Sequence, residues 1–140
     1  MTSALDAPIL YRTNYRVPFH LADPAGVLFF GNIFSALHEV YERWAHETNM
    51  WTEWYSAKWG LGYPIRHCEA DYLKFLRCGE EFELKIQCVS LSESTFSLQG
   101  EFTQSGVVHA RVLTVHTAID LAKKEKATLT PIMREFFKKK

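Results

Sequence analysis

At 140 residues, 47% hydrophobic and 14% aromatic, the chain can bury one real core, while sixteen basic residues against sixteen acidic ones exclude the basic excess that a nucleic-acid surface wants. Three cysteines, Cys68, Cys78 and Cys88, with no C-x-x-C spacing, argue against a disulfide framework or a zinc site and for a reducing compartment. No run approaches the ~20 apolar residues of a membrane span, and residues 1–9 lack a signal-peptide pattern, so no membrane is expected and the cytoplasm is the expected location.

Residues 10–20 alternate, with Tyr11, Thr13, Tyr15, Val17 and Phe19 on one face, which predicts a half-buried strand. Pro18 marks an edge or the end of that strand, because it cannot donate to a ladder. Asp23-Pro24-Ala25-Gly26 follows as turn chemistry: Pro24 presets its own φ, and Gly26 can take a positive one. Then Ile33, Leu37, Val40, Tyr41 and Trp44 recur at intervals of three and four, forming the apolar stripe of a helix. Glu39 with Arg43, and Glu42 with His46, stand four apart in the favourable acid-first order.

Residues 47–61 are rich in tryptophan (Trp51, Trp54, Trp59) without clean periodicity, which predicts a short helical or irregular cover closed by Gly60 and Gly62. From Tyr63 onward the period becomes two. Residues 65–75 read as a strand despite their charges. Phe82, Leu84, Ile86 and Cys88 alternate with charged and polar neighbours after a turn at Cys78-Gly79-Glu80. Phe96, Leu98, Gly100 and Phe102 repeat the pattern, Gln104-Ser105-Gly106 turns the chain, and residues 107–119 form a long last strand. Thr130 and Pro131 suit the cap and first position of a final short helix.

With no repeat, linker or low-complexity segment, the chain reads as one domain over 1–140, its core at about 10–131. A strand, one long helix and four more strands bury their apolar faces only if the sheet wraps the helix. That leaves an open edge and an uncovered helix flank, which a homodimer resolves.

Three groups of residues can carry chemistry. Asp23 reads either as a general base or nucleophile toward an acyl carbon, or as an Asx-turn aspartate satisfying local amides. The amides of Phe29, Phe30 and Gly31, at a helix start, can donate to an oxyanion, unless water or Asn32 caps them. Among the histidines no ligand spacing occurs, so no metal is expected; His38 on the helix and His67 on a strand either line an acyl pocket or are structural. No G-x-S-x-G elbow and no phosphate loop is present, and Tyr41 is most simply core, with an aromatic pocket role second.

Residues 22–32, Ala-Asp-Pro-Ala-Gly-Val-Leu-Phe-Phe-Gly-Asn, resemble the signature of hotdog-fold acyl-CoA thioesterases of the 4-hydroxybenzoyl-CoA thioesterase type. The likeness extends through His38-Glu39-x-Tyr41-Glu42, Tyr63-Pro64-Ile65-x-His67, Ala70-Asp71-Tyr72, Leu76-x-Cys78-Gly79-Glu80, Thr114-x-His116 and Thr130-Pro131, so it covers residues 15–131. It implies an α+β hotdog fold, a curved antiparallel sheet of about five strands around one long central helix, in homodimers or homotetramers.

The resemblance further implies hydrolysis of a thioester to free acid and coenzyme A, with no cofactor beyond the coenzyme A of the substrate. Asp23 takes the place of the catalytic aspartate and the Phe30 backbone amide that of the group polarising the carbonyl. Phe29, Gly31, His38, Tyr41 and His67 are the expected substrate-binding residues, and the resemblance puts His38 at the helix position near the substrate ring and has the second subunit complete the pocket near His67. Two departures stand out. Leu21 occupies the first position of the family's D-x-D. The turn that meets coenzyme A phosphates in the 4-hydroxybenzoyl enzyme is Ser92-Glu93-Ser94 here, so Lys123, Lys124 and Lys126 are the expected substitutes. The segments around His38 and His67 look closer to 1,4-dihydroxy-2-naphthoyl-CoA thioesterases, which favours an aryl acyl group. A hydratase or dehydratase using His38, and a non-catalytic acyl-binding module, are the rival readings.

Overall fold

The computed structural model describes residues 6–54 and 60–138. The order is β1 (Ile9–Arg16), a helix α1 (Ile33–Glu47), a single turn α2 (Trp51–Trp54), β2 (Leu61–Gly62), β3 (Ile65–Tyr72), β4 (Glu81–Leu91), β5 (Thr95–Gln104), β6 (Val107–Thr117), β7 (Ile119–Asp120), β8 (Glu125–Lys126) and α3 (Pro131–Lys138). Five strands form one antiparallel sheet in the order β1-β4-β5-β6-β3. This is the hotdog fold, mixed α+β, with the long helix seated on the sheet.

The predicted alternations are realised. Phe82, Leu84, Ile86 and Cys88 of β4 and Phe96, Leu98 and Phe102 of β5 are all buried. They face Ile33, Leu37, Val40, Tyr41 and Trp44 of α1, which are buried as the stripe required. Gly100 shows why the helix comes so close. A Cβ placed there would stand 2.5 Å from Leu37 Cδ1, so the absence of a side chain admits the helix to the sheet. Arg43 ties the helix to β1, donating to the Asn14 carbonyl at 3.2 Å and pairing with Glu39 at 2.9 Å. Its partner prediction differs: His46 stacks on Trp51 at 4.1 Å rather than serving Glu42.

Other boundaries shift for local reasons. β1 ends at Arg16, and Pro18 opens a 3-10 turn at Phe19–Leu21, so Phe19 leaves the inward face and is 88% exposed. β3 ends at Tyr72, short of Phe75, because the amides of Leu73 and Lys74 both turn to the His109 carbonyl of β6, at 2.9 and 3.0 Å. A second sheet, β2-β7-β8, was not foreseen, since two-residue strands carry no periodicity. The cover over the helix end includes α2; Trp59 lies outside the described residues. The Thr130 hydroxyl accepts from the Met133 amide at 3.1 Å with Pro131 in first position, as the cap predicted, and α3 buries Met133, Phe136 and Phe137. Among the described residues no helix is long and apolar enough to cross a membrane.

Candidate active site

The site begins with the turn. The Gly26 amide donates to the Asp23 carbonyl at 2.9 Å, and Gly26 takes φ +80, which a side chain would resist. Asp23 Oδ1 accepts from the Ala25 amide at 2.9 Å and lies 3.5 Å from that of Val27. One carboxylate oxygen is thus tied in an Asx-turn, which fixes the direction of the group. Oδ2 has no hydrogen-bond partner among the described residues.

After the turn, a short antiparallel contact runs beside residues 76–78. The Leu28 amide donates to Leu76 at 2.7 Å and the Cys78 amide to Gly26 at 2.8 Å, with Val27 bridged to Arg77. The chain then enters a 3-10 turn, Phe30–Asn32, ahead of α1. Asn32 does not cap it: its side-chain amide donates to the Leu21 carbonyl at 3.0 Å. The Phe30 amide, at the first position, makes no hydrogen bond among the described residues. It remains a free donor with the positive end of the helix behind it.

Asp23 and Phe30 line one cavity of ≈ 630 Å³. Its other walls come from Val27, Leu28 and Phe29, from the segment at residues 72–77, and from His109. The mouth is apolar, since the exposed large side chains Phe29, Phe30, Tyr72, Leu73 and Phe75 gather around it. The Tyr72 hydroxyl, whose pKa desolvation raises, donates to the Phe30 carbonyl and so links β3 to the helix entry. His109 Nδ1–H donates to the Phe75 carbonyl at 2.9 Å and holds the loop from the other side. Among the lining residues Asp23 is the one carboxylate, accompanied by Lys74 and Arg77.

The cavity therefore gathers three of the expected residues, Asp23, Phe29 and Phe30. Gly31 is exposed beside it without lining it. His38 is exposed on α1, its ring 5.9 Å from that of Tyr41. Tyr41 is fully buried with its hydroxyl 2.7 Å from Thr114 Oγ1, so it belongs to the core. His67 is exposed on β3, 3.4 Å from Glu69. Lys123, Lys124 and Lys126 are exposed on and beside the β7–β8 turn and do not line the cavity. Tyr72, Lys74, Arg77 and His109 were missed as site residues. Nothing in a strand pattern distinguishes them, although apolar residues crossed with two cations over 73–77 are a usable signal.

Comparison with known proteins shows the family and the fold. Residues 17–137 match the model of the thioesterase-like superfamily. A 1,4-dihydroxy-2-naphthoyl-CoA hydrolase of Synechococcus sp. (strain RCC307) is 32% identical over 115 residues, 79% of this chain and 88% of that protein. One from Nostoc punctiforme is 27% identical over 116 residues, covering 83% of this chain and 78% of its own. The crystal structure of a 1,4-dihydroxy-2-naphthoyl-CoA thioesterase from Synechocystis shares the fold with a TM-score of 0.77 at 24% identity, covering 91% of this chain and 94% of the other. The chain therefore belongs to the thioesterase-like superfamily and is a thioester hydrolase.

Proposed function

We propose that the protein is an acyl-CoA thioesterase acting on aryl thioesters, with Asp23 and the Phe30 amide as its reacting groups. The observation that supports this is the shared cavity: Asp23, with one carboxylate oxygen uncommitted, and Phe30, whose amide is unpaired among the described residues, both line one largely apolar space. A thioester carbonyl seated against the Phe30 N–H is polarised as negative charge grows on its oxygen. Asp23 then adds to the carbonyl carbon, the C–S bond breaks and coenzyme A leaves as thiolate; one water then adds to the acyl carbon of the mixed anhydride, its hydroxyl staying on the acid, its proton going to the thiolate, and Asp23 leaving as carboxylate. Alternatively, Asp23 takes a proton from a water that adds directly, and the thiolate leaves with that proton. Both routes end in free acid, free thiol and an unchanged Asp23, and neither calls for a metal or a further cofactor.

The aryl preference is supported by the naphthoyl substrate in the names of the relatives and by the ring-lined mouth. A hydratase would draw on His38, which lies outside the cavity. The working unit we infer is a homodimer or a pair of them. β3 is an edge strand exposed on both faces along most of its length, and a second copy would pair it and bring new walls to the mouth. The free thiols of Cys68, Cys78 and Cys88 fit a reducing cytoplasm.

The test is Asp23→Asn against a panel of aryl, short-chain and long-chain acyl-CoA esters. Asn keeps the turn's acceptor, so thermal unfolding should barely move while kcat falls by at least ~10²-fold. Wild-type turnover in the variant would remove Asp23 from the chemistry. Tight acyl-CoA binding without turnover by the wild type would instead leave an acyl-binding module.

A further inference from the structure

Lys74 and Arg77 stand on the cavity that holds Asp23, and neither has an ion-pair partner among the described residues. Several other cations of the chain are committed: Arg12, Arg16, Arg43, Lys85 and Arg111 each face a carboxylate. An uncommitted surface cation is ordinary in itself. These two differ because their backbone is held. Arg77 is bridged to Val27, one residue beyond the Asp23 turn, and its guanidinium lies 5.8 Å over the Phe75 ring. The Lys74 amide is bonded to the His109 carbonyl on β6 at 3.0 Å. Two cationic residues thus line an apolar cavity on backbone that the fold holds, in a chain whose net charge of zero gives no overall attraction to a polyanion.

We propose that Lys74 and Arg77 form an anion site that reads phosphate on the carrier arm of the substrate. The ligand class rests on the thioesterase reading; the placement rests on the cavity. The acyl group occupies the ring-lined space against Asp23, and the pantetheine arm leads its phosphate back to the rim. Arg77 offers a planar fork for two phosphate oxygens and Lys74 a single compact charge. Phosphate could come from the nucleotide of free coenzyme A or from the single phosphodiester of a carrier protein. Three probes separate these sources: coenzyme A, 4′-phosphopantetheine and pantetheine.

Calorimetry on the full chain tests the site without requiring turnover. Wild type should bind coenzyme A about a hundredfold more tightly than pantetheine, about tenfold per cation. Lys74→Ala with Arg77→Ala should bring that ratio near one. If 4′-phosphopantetheine behaves as coenzyme A in the wild type, one phosphate suffices and a carrier-protein arm fits; if it behaves as pantetheine, the nucleotide phosphates are the ligand. Either result upholds the site. An unchanged ratio in the double variant overturns it, as does a wild type indifferent to phosphate. It also fails if Lys123→Ala, Lys124→Ala and Lys126→Ala together abolish the ratio while the first pair keeps it. Both side chains are exposed, so the fold should survive; Lys74→Gln with Arg77→Gln, which keeps polar stems, is the second variant should the alanines unfold. Failure of the thioesterase reading shows separately, as no hydrolysis of aryl-pantetheine or aryl-CoA by the wild type.

Discussion

Acid stability should be governed in large part by one buried imidazole. His116 is 1% exposed, stacked on Phe96 with ring centroids 4.7 Å apart. Its Nδ1–H donates to the Tyr63 carbonyl at 3.2 Å, so its Nε2 accepts from the Thr114 hydroxyl at 3.0 Å, and the Tyr41 hydroxyl completes the chain. Adding a proton at Nε2 would set two hydrogens against Thr114 Oγ1 in a dry interior. Burial accordingly lowers its pKa from 6.5 to about 4, the Tyr63 hydrogen bond offsetting part of this and nearby His38 adding to it.

Because the folded value is the lower one, the unfolded chain binds the proton first as pH falls. Stability is therefore lost between 6.5 and about 4 and levels off below that. At about 1.4 kcal/mol per tenfold in proton affinity, that interval is worth about 3 kcal/mol. Urea unfolding at stepped pH, on wild type and His116→Gln, isolates the effect: the carboxylates contribute equally to both, and the wild type should show the steeper fall. Parallel curves would refute the argument. So would a wild-type imidazole resonance for His116 titrating above 6 by NMR, a measurement that does not depend on the variant folding.

Two further outcomes follow from the packing. Gly100→Ala pushes a methyl into Leu37 at the tightest helix–sheet contact, so it should destabilise by about 1–3 kcal/mol in denaturant unfolding; a neutral result would mean that the helix slides freely on the sheet. Tyr72→Phe removes the hydroxyl that steadies the Phe30 carbonyl, which still accepts from Ile33. Stability should change by only about 1 kcal/mol, while kcat drops severalfold with KM nearly constant. A rise in KM alone would make Tyr72 a binding wall rather than a positioning residue.

The sequence alone determined the parts that depend on near neighbours. The 3.6-residue stripe from Ile33 to Trp44, the two-residue alternation of Phe82 to Cys88, the Thr130 cap and the Asp23–Gly26 turn are each written in spacing or backbone chemistry, and each is realised. The motif around Asp23 also pointed to the family. What the chain order could not decide was which distant residues meet. Tyr41 and His38 are three apart on one helix, yet one is core and the other is exposed. Lys74, Arg77 and His109 became cavity residues because residues 26–28 pair with 76–78, and β3 with β6, across gaps of roughly forty to fifty positions. Such pairings are chosen by the closure of the whole sheet on the helix, a global balance of burial and hydrogen bonding to which no local pattern gives access.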